Sequence, residues 1–158
     1  MWLDLPNFWI VICNLLAIPA IHLGISWWFT KLDRGCFDPD AWLYRERSWE
    51  EGGKVYQNLF RIRRWKHLLP DAAPWFAGFA KGRLGDKDRA HLHVFLVETC
   101  RGEAAHWAQI PGILLTLTWN PWPVAAAVMA AYAILSNLPC LLLQRFTRAR
   151  LRRVLRER

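Results

Sequence analysis

The chain alternates between long apolar runs and dense polar stretches. From Asn7 to Phe29, and again from Val124 to Leu143, no Asp, Glu, Lys or Arg occurs. Each run is about the 20 residues that a helix needs to cross a hydrocarbon core. A third stretch, from about Ala90 to Trp119, ends in the apolar "AQIPGILLTLTW" but opens with "VETCRGEAAHW", which places Glu98, Arg101, Glu103 and His106 close together just where the chain turns apolar. Between the first and second runs, "SWEEGGKVYQNLFRIRRWKHLLPDAAPWFAGFAKGRL" interleaves aromatic with basic residues. Trp49, Gly53, Tyr56 and Phe60 recur there at helical spacing, and Pro70 and Pro74 punctuate the residues beyond them. The pattern predicts an all-α integral membrane protein: span 7–29, a cytoplasmic interfacial segment 31–89, span 90–119, span 124–143 and a basic tail 144–158.

Charge orients these elements. Of 21 Lys and Arg, 13 lie between Lys31 and Arg89, seven follow Leu143, and Arg101 stands alone. The positive-inside rule puts both clusters in the cytoplasm, so 90–119 must cross outward and 124–143 return, with "NPWP" (Asn120 to Pro123) as the outer turn. The expected protein is multi-pass in the cell membrane, its N-terminus outside and its C-terminus cytoplasmic. Trp2, Trp9, Trp119 and Trp122 then fall at the outer interface and Trp27 and Trp28 at the inner one.

Composition supports the membrane reading: 54% of the 158 residues are apolar, 11 are Trp, and the formal charge is +8. Asp4 is the only charge before the first span and no Ala-x-Ala site follows it, so that span reads as an anchor and not a cleavable signal. Cys13, Cys36, Cys100 and Cys140 have no paired spacing, which argues against both a disulfide framework and a zinc site. The basic aromatic loop suits an anionic membrane surface. No nucleic-acid module is recognisable, and nucleic acid is not an expected partner.

Depth converts the polar residues into a candidate site. At 1.5 Å per residue, His106 lies about 20 Å from Trp119, in the cytoplasmic third of a core roughly 30 Å thick. His22 and Asn137 lie about 12 to 14 Å inside the cytoplasmic boundary on the same rise. Each span thus contributes a polar group at a similar level. On a helix, Glu98, Thr99, Gly102, Glu103 and His106 share one arc, which must face a bundle interior or wet cleft because lipid would exclude it. Arg101 points elsewhere, although its side chain can reach Glu98. Pro111 opens the helix near His106, and Pro19 and Pro139 interrupt the other spans. Glu103 and His106, an i, i+3 pair, form a carboxylate-oriented imidazole able to take a proton from a hydroxyl. "EAAH" is also a Glu-x-x-His metal pattern, but one copy falls short of what di-iron bundles need, and no metal is expected. Cys100 lies off the arc. A set of charge pairs that only glues helices together is the alternative.

The phrases "WEEGGKVYQNLFRIRRWKHLLPD", "VETCRGEAAHW" and "NLPCLLLQRFTRARLRRVLR" resemble three successive blocks of the glycosyl-diaponeurosporenoate acyltransferase family, in its order and spacing. The resemblance includes Arg63, Trp65, Lys66, Glu98, Arg101, Glu103, His106, Asn137, Gln144, Arg145 and Arg148. Gly102, Phe146 and Ala149 replace a usual Ala, Tyr and Pro. The family implies esterification of a fatty acid onto the glucose of a carotenoid. It implies no tightly bound cofactor, and acyl-CoA or acyl-ACP as co-substrate. Phosphates of that cytosolic thioester would suit Arg61, Arg63, Arg64 and Lys66, with Trp65 among them, together with the C-terminal arginines. A glycosylated carotenoid or similar glycolipid would anchor among membrane lipids and lift its sugar toward His22, Asn137, Gln144, Arg145 and Arg148. His106 would take the hydroxyl proton, Glu103 would orient it, and Arg101 or Asn137 would stabilise the oxyanion, with Glu98 beside them. A different lipid acceptor, or a non-catalytic scaffold for lipid-synthesising enzymes, are the rival expectations.

Overall fold

The computed structural model describes residues 3, 5–69, 88–120 and 122–157. Trp2 and the loop residues Pro70, Pro74, Trp75, Phe76 and Phe79 lie outside them. All regular structure among the described residues is helical. The α-helices are α1 (Asn7–Lys31), α2 (Lys54–Phe60), α3 (Ile62–Trp65), α4 (Arg89–Leu114) and α5 (Pro123–Glu157). Short 3-10 turns cover Arg34–Cys36, Ser48–Gly53, Lys66–Leu68 and Leu115–Thr118.

Helices α1 and α5 are long and apolar enough to cross a membrane, and α1 contains no buried residue. Helix α4 does not meet that test because Glu98, Arg101 and Glu103 interrupt its apolar surface, so two candidate spans stand where the sequence pattern predicts three. Glu98 and Glu103 are buried by protein, and Arg101 is partly buried beside Glu98. Helices α1 and α4 run antiparallel, since Asn14 meets Asn120, His22 meets Gln109, and Leu32 meets Arg101. Helix α5 returns antiparallel to α4: Asn137 meets His106, Arg145 meets Glu103, and Arg148 meets Thr99. The three long helices therefore gather Lys31, Arg89 and the α5 arginines at one end. At the other end Asn14, Trp119 and Asn120 interlock, with Trp119 donating to Asn14 at 2.9 Å.

The prolines leave the helices intact. Pro19, Pro111 and Pro139 lie inside α1, α4 and α5, which run through them without a break, because each ring removes one backbone bond while neighbouring turns and packed helices hold the rest. The expected helical run from Trp49 to Phe60 does break. Glu51, Gly52 and Gly53 have φ of 48°, 65° and 88°, in the left-handed region, so a 3-10 turn leads into α2 at an angle.

Two packing features fix the basic end. Leu92, Phe95 and Leu96 of α4 pack on Leu151 and Leu155 of α5, extending the hairpin beyond the apolar run with a core of soluble-protein type. The irregular segment between α1 and α2 crosses this hairpin, and its carbonyls accept from arginines: Leu32 from Arg101, Pro39 from Arg152, Leu43 from Arg145 and Tyr44 from Arg148. Buried carbonyls outside regular structure need such partners.

Candidate active site

Helix α4 supplies the site because steps of three and four residues align Glu98, Thr99, Gly102, Glu103, His106 and Gln109 toward its neighbours. The structure resolves this face into two layers, one charged and one neutral.

The charged layer centres on Glu103, 1% exposed. Arg145 Nε reaches its Oε1 at 2.9 Å, Arg148 pairs with its Oε2, and Trp107 Nε1 donates to Oε1 at 3.4 Å. Arg145 also pairs at 2.9 Å with Glu50, a buried residue of the Ser48–Gly53 turn. Two carboxylates thus balance two guanidiniums, which buried charges require. Arg148 is further held by Thr99 Oγ1 at 3.1 Å. One turn away, Glu98 pairs at 3.0 Å with both Arg101 and Arg34. Arg101 does reach Glu98, as its length allows. Burial, then the neighbouring Cys100 and Glu103, push the Tyr44 phenol above its ordinary value; burial and the Glu50 charge do the same to Tyr56.

The neutral layer joins all three long helices. Asn137, 0% exposed, gives its amide nitrogen to the Ala133 carbonyl and Ser136 Oγ, which leaves Oδ1 facing His106 Nδ1 at 2.9 Å. Gln109 gives its amide nitrogen to the His22 carbonyl and Ser26 Oγ, so its Oε1 accepts from His106 Nδ1 at 3.2 Å and from His22 Nδ1 at 3.0 Å. Both amide oxygens are acceptors only. The His106 proton therefore sits on Nδ1 in the neutral ring, and Nε2 carries the basic lone pair. His22 has the same tautomer and accepts at Nε2 from the Tyr132 hydroxyl at 3.3 Å.

The residues that depth places at one level, His22, His106 and Asn137, belong to one hydrogen-bonded chain. Gln144 is buried against Gly102, where a Cβ would stand 2.9 Å from its Nε2. Arg61, Arg63, Arg64 and Lys66 stay exposed on and around α3, apart from both layers, and Trp65 donates to the Phe60 carbonyl at 2.7 Å. Sequence reasoning missed Gln109, Ser26 and Tyr132, and it missed Glu50 as the second buried carboxylate. Gln109 was discoverable, since it stands one turn beyond His106 on the same face. Glu50 was not, because its partner Arg145 is far away in the chain. Among the described residues, no three His, Cys, Asp or Glu converge so as to hold a metal.

A known family covers most of this architecture. Residues 40–157 match the glycosyl-4,4'-diaponeurosporenoate acyltransferase family. The chain belongs to that family. A relative bearing the same name from Staphylococcus haemolyticus (strain JCSC1435) is 29% identical over 133 residues, covering 84% of this chain and 77% of its own. One from Staphylococcus aureus (strain MRSA252) is 26% identical over 138 residues, covering 86% and 82%. No solved structure matches. Membership in the family makes the chain an acyltransferase. The match takes in Glu50, α4 and α5 but not α1, so His22 and Ser26 lie outside it.

Proposed function

We propose that this acyltransferase moves a fatty acyl group from a cytosolic acyl thioester, acyl-CoA or acyl-ACP, onto a sugar hydroxyl of a glycosylated carotenoid or similar glycolipid, with His106 as general base. The family name supports the acceptor. The bond from His106 Nδ1 to Asn137 Oδ1 carries the assignment of the base, because it fixes the tautomer whose Nε2 can accept a proton.

In the reaction, His106 Nε2 takes the acceptor's O–H proton as the oxygen attacks the thioester carbonyl. The new C–O bond forms, the C–S bond breaks, and the departing thiolate recovers the proton from the imidazolium. Glu103, one turn from His106, is a positioning residue: Arg145 and Arg148 hold it and fix that turn of α4 against α5. Asn137 is engaged with the ring, and Arg101 with Glu98 and the Leu32 carbonyl, so neither is assigned to the developing oxyanion.

The same reading sets the enzyme in the cell membrane with α1, α4 and α5 all crossing, the basic end cytoplasmic and Asn120 outside. A greasy acceptor then stays among membrane lipids while its sugar reaches the neutral layer, and the thioester arrives from the cytosol. Mass spectrometry of pigments and glycolipids from cells with and without the protein tests the reading. Loss of an acylated glycolipid, restored by wild type and not by His106→Ala at equal abundance, is the expected result. Unchanged lipids would overturn it.

A further inference from the structure

The α5 arginines beyond the apolar run differ in one respect. Arg145, Arg148, Arg152, Arg153 and Arg156 each pair with a carboxylate. Arg150 has no carboxylate partner among the described residues. Its guanidinium lies 5.6 Å from the Phe146 ring centroid. Burial, and the like charge of Arg63, push it below its ordinary value. Lys54 and Arg63 also lack a carboxylate partner among the described residues. These three cations and Arg153 line a cleft of about 320 Å³ together with Phe146. The one acidic side chain in its lining, Glu157, is bonded to Arg153 at 2.7 Å. The buried guanidiniums around Glu103 are balanced by Glu103 and Glu50, and those beside Glu98 each touch its carboxylate, whereas here like charges are held together around an open space. An anion in that space would relieve their repulsion.

We infer that the cleft binds the phosphate groups of the acyl donor's carrier, a small phosphorylated thiol of the coenzyme A class. The identity of the donor rests on the acyl transfer proposed for His106; the anion site rests on the cleft alone. Position agrees with a soluble ligand. Arg150 stands seven residues past Leu143, about 10 Å on the helical rise, on the part of the hairpin that has its own Leu92, Phe95 and Leu151 core. It also stands 13 residues past Asn137, about 20 Å along α5, a distance that an extended pantetheine arm covers. Phosphates in the cleft and a thioester at His106 are thus compatible. None of the groups in the cleft belongs to the His106 layer, so donor anchoring and proton transfer are separable.

A phospholipid headgroup offers the same phosphate chemistry, and the test separates the two. The full chain in phosphatidylcholine nanodiscs is titrated with coenzyme A by calorimetry, with inorganic pyrophosphate as competitor, for wild type, Arg63→Gln, Arg63→Gln/Arg150→Gln and His106→Ala. Saturable binding by wild type is expected, competed by pyrophosphate and weakened at least about tenfold in the double variant, as loss of charge-assisted bonds predicts. The exposed Arg63→Gln change alone should weaken it in the same direction, which covers the case of a double variant that fails to fold. His106→Ala should bind coenzyme A as wild type does. Active His106→Ala protein would therefore sink the general-base assignment and leave the cleft standing. Wild-type affinity in the folded double variant would overturn the cleft. So would absent coenzyme A binding by wild type, including the case where the protein instead retains phosphatidylglycerol in an Arg63-dependent way.

Discussion

Asn137 Oδ1 lies 2.9 Å from His106 Nδ1 across the interface of α4 and α5, and it is an acceptor because the amide nitrogen is already bonded to the Ala133 carbonyl. One hydrogen bond of this type contributes about 0.5 to 1.5 kcal/mol. Asn137→Ala should therefore lower turnover by roughly two- to tenfold, because Gln109 still holds the ring. His106→Ala should lose at least about 100-fold. Steady-state rates per folded molecule check the order. Equal losses would mean that Asn137 does more than orient the imidazole.

Glu103→Gln should act mainly on stability. It leaves Arg148 without its carboxylate in a buried setting, while Arg145 keeps Glu50. Breaking one side of a buried pair costs about 3 to 5 kcal/mol, read as a lower melting temperature in detergent. Turnover per folded molecule should fall less than in His106→Ala. Full stability with a loss of rate as severe as that of His106→Ala would instead give Glu103 a direct part in proton transfer.

Cys36 provides a native topology probe, because it is exposed just beyond the end of α1. A membrane-impermeant maleimide should miss Cys36 in intact cells and reach it in inverted vesicles. Trp122, exposed at the opposite end of the helices, should as Trp122→Cys show the opposite pattern. Labelling of Cys36 from outside would reverse the orientation and remove the cytosolic donor from reach.

The long helices were legible because period and length announce them: two uncharged runs, and a third stretch whose polar residues repeat every three to four positions. The shared level of His22, His106 and Asn137 was legible for the same reason, since a fixed rise converts sequence distance to depth. What was hidden came from partners distant in sequence. Nothing local says that Arg145 bridges Glu50 and Glu103, or that the backbone from Leu32 to Tyr44 would crown the hairpin with its carbonyls. The break at Glu51 to Gly53 overrides the helical spacing of Trp49, Tyr56 and Phe60, because two consecutive glycines permit left-handed backbone that the apolar pattern does not register.

Tyr56 should make the fold sensitive to alkali. Its phenol is raised by burial and by Glu50, so the folded state keeps the proton after the unfolded chain has begun to lose it. Its contribution is complete below the unfolded value near 10 and declines as pH rises above that toward the folded value. Melting temperature should therefore drop above about pH 10, and Tyr56→Phe should flatten that drop. An unchanged alkaline profile in Tyr56→Phe would mean that other groups set it.

Gly53 should be the least replaceable glycine of the described residues. Its φ is +88°, which strains any L side chain, and a Cβ there would stand 3.2 Å from the Ala149 Cβ and 3.5 Å from the Phe146 ring. Backbone strain of this kind costs about 1 to 3 kcal/mol, and neither neighbour can swing away, since both are buried on α5. Gly53→Ala should thus lower the melting temperature and push the Ser48–Gly53 turn off the hairpin. That shift would draw Glu50 from Arg145 and move Lys54 away from Arg63 and Arg150. Weaker coenzyme A binding should accompany the loss of stability. Gly24→Ala is the matched control, because nothing lies within 4 Å of a Cβ at that position of α1, and it should leave both readouts unchanged. A Gly53→Ala protein as stable as wild type would show that the turn can relax without α5, and that the cleft does not depend on how closely the turn sits against Ala149.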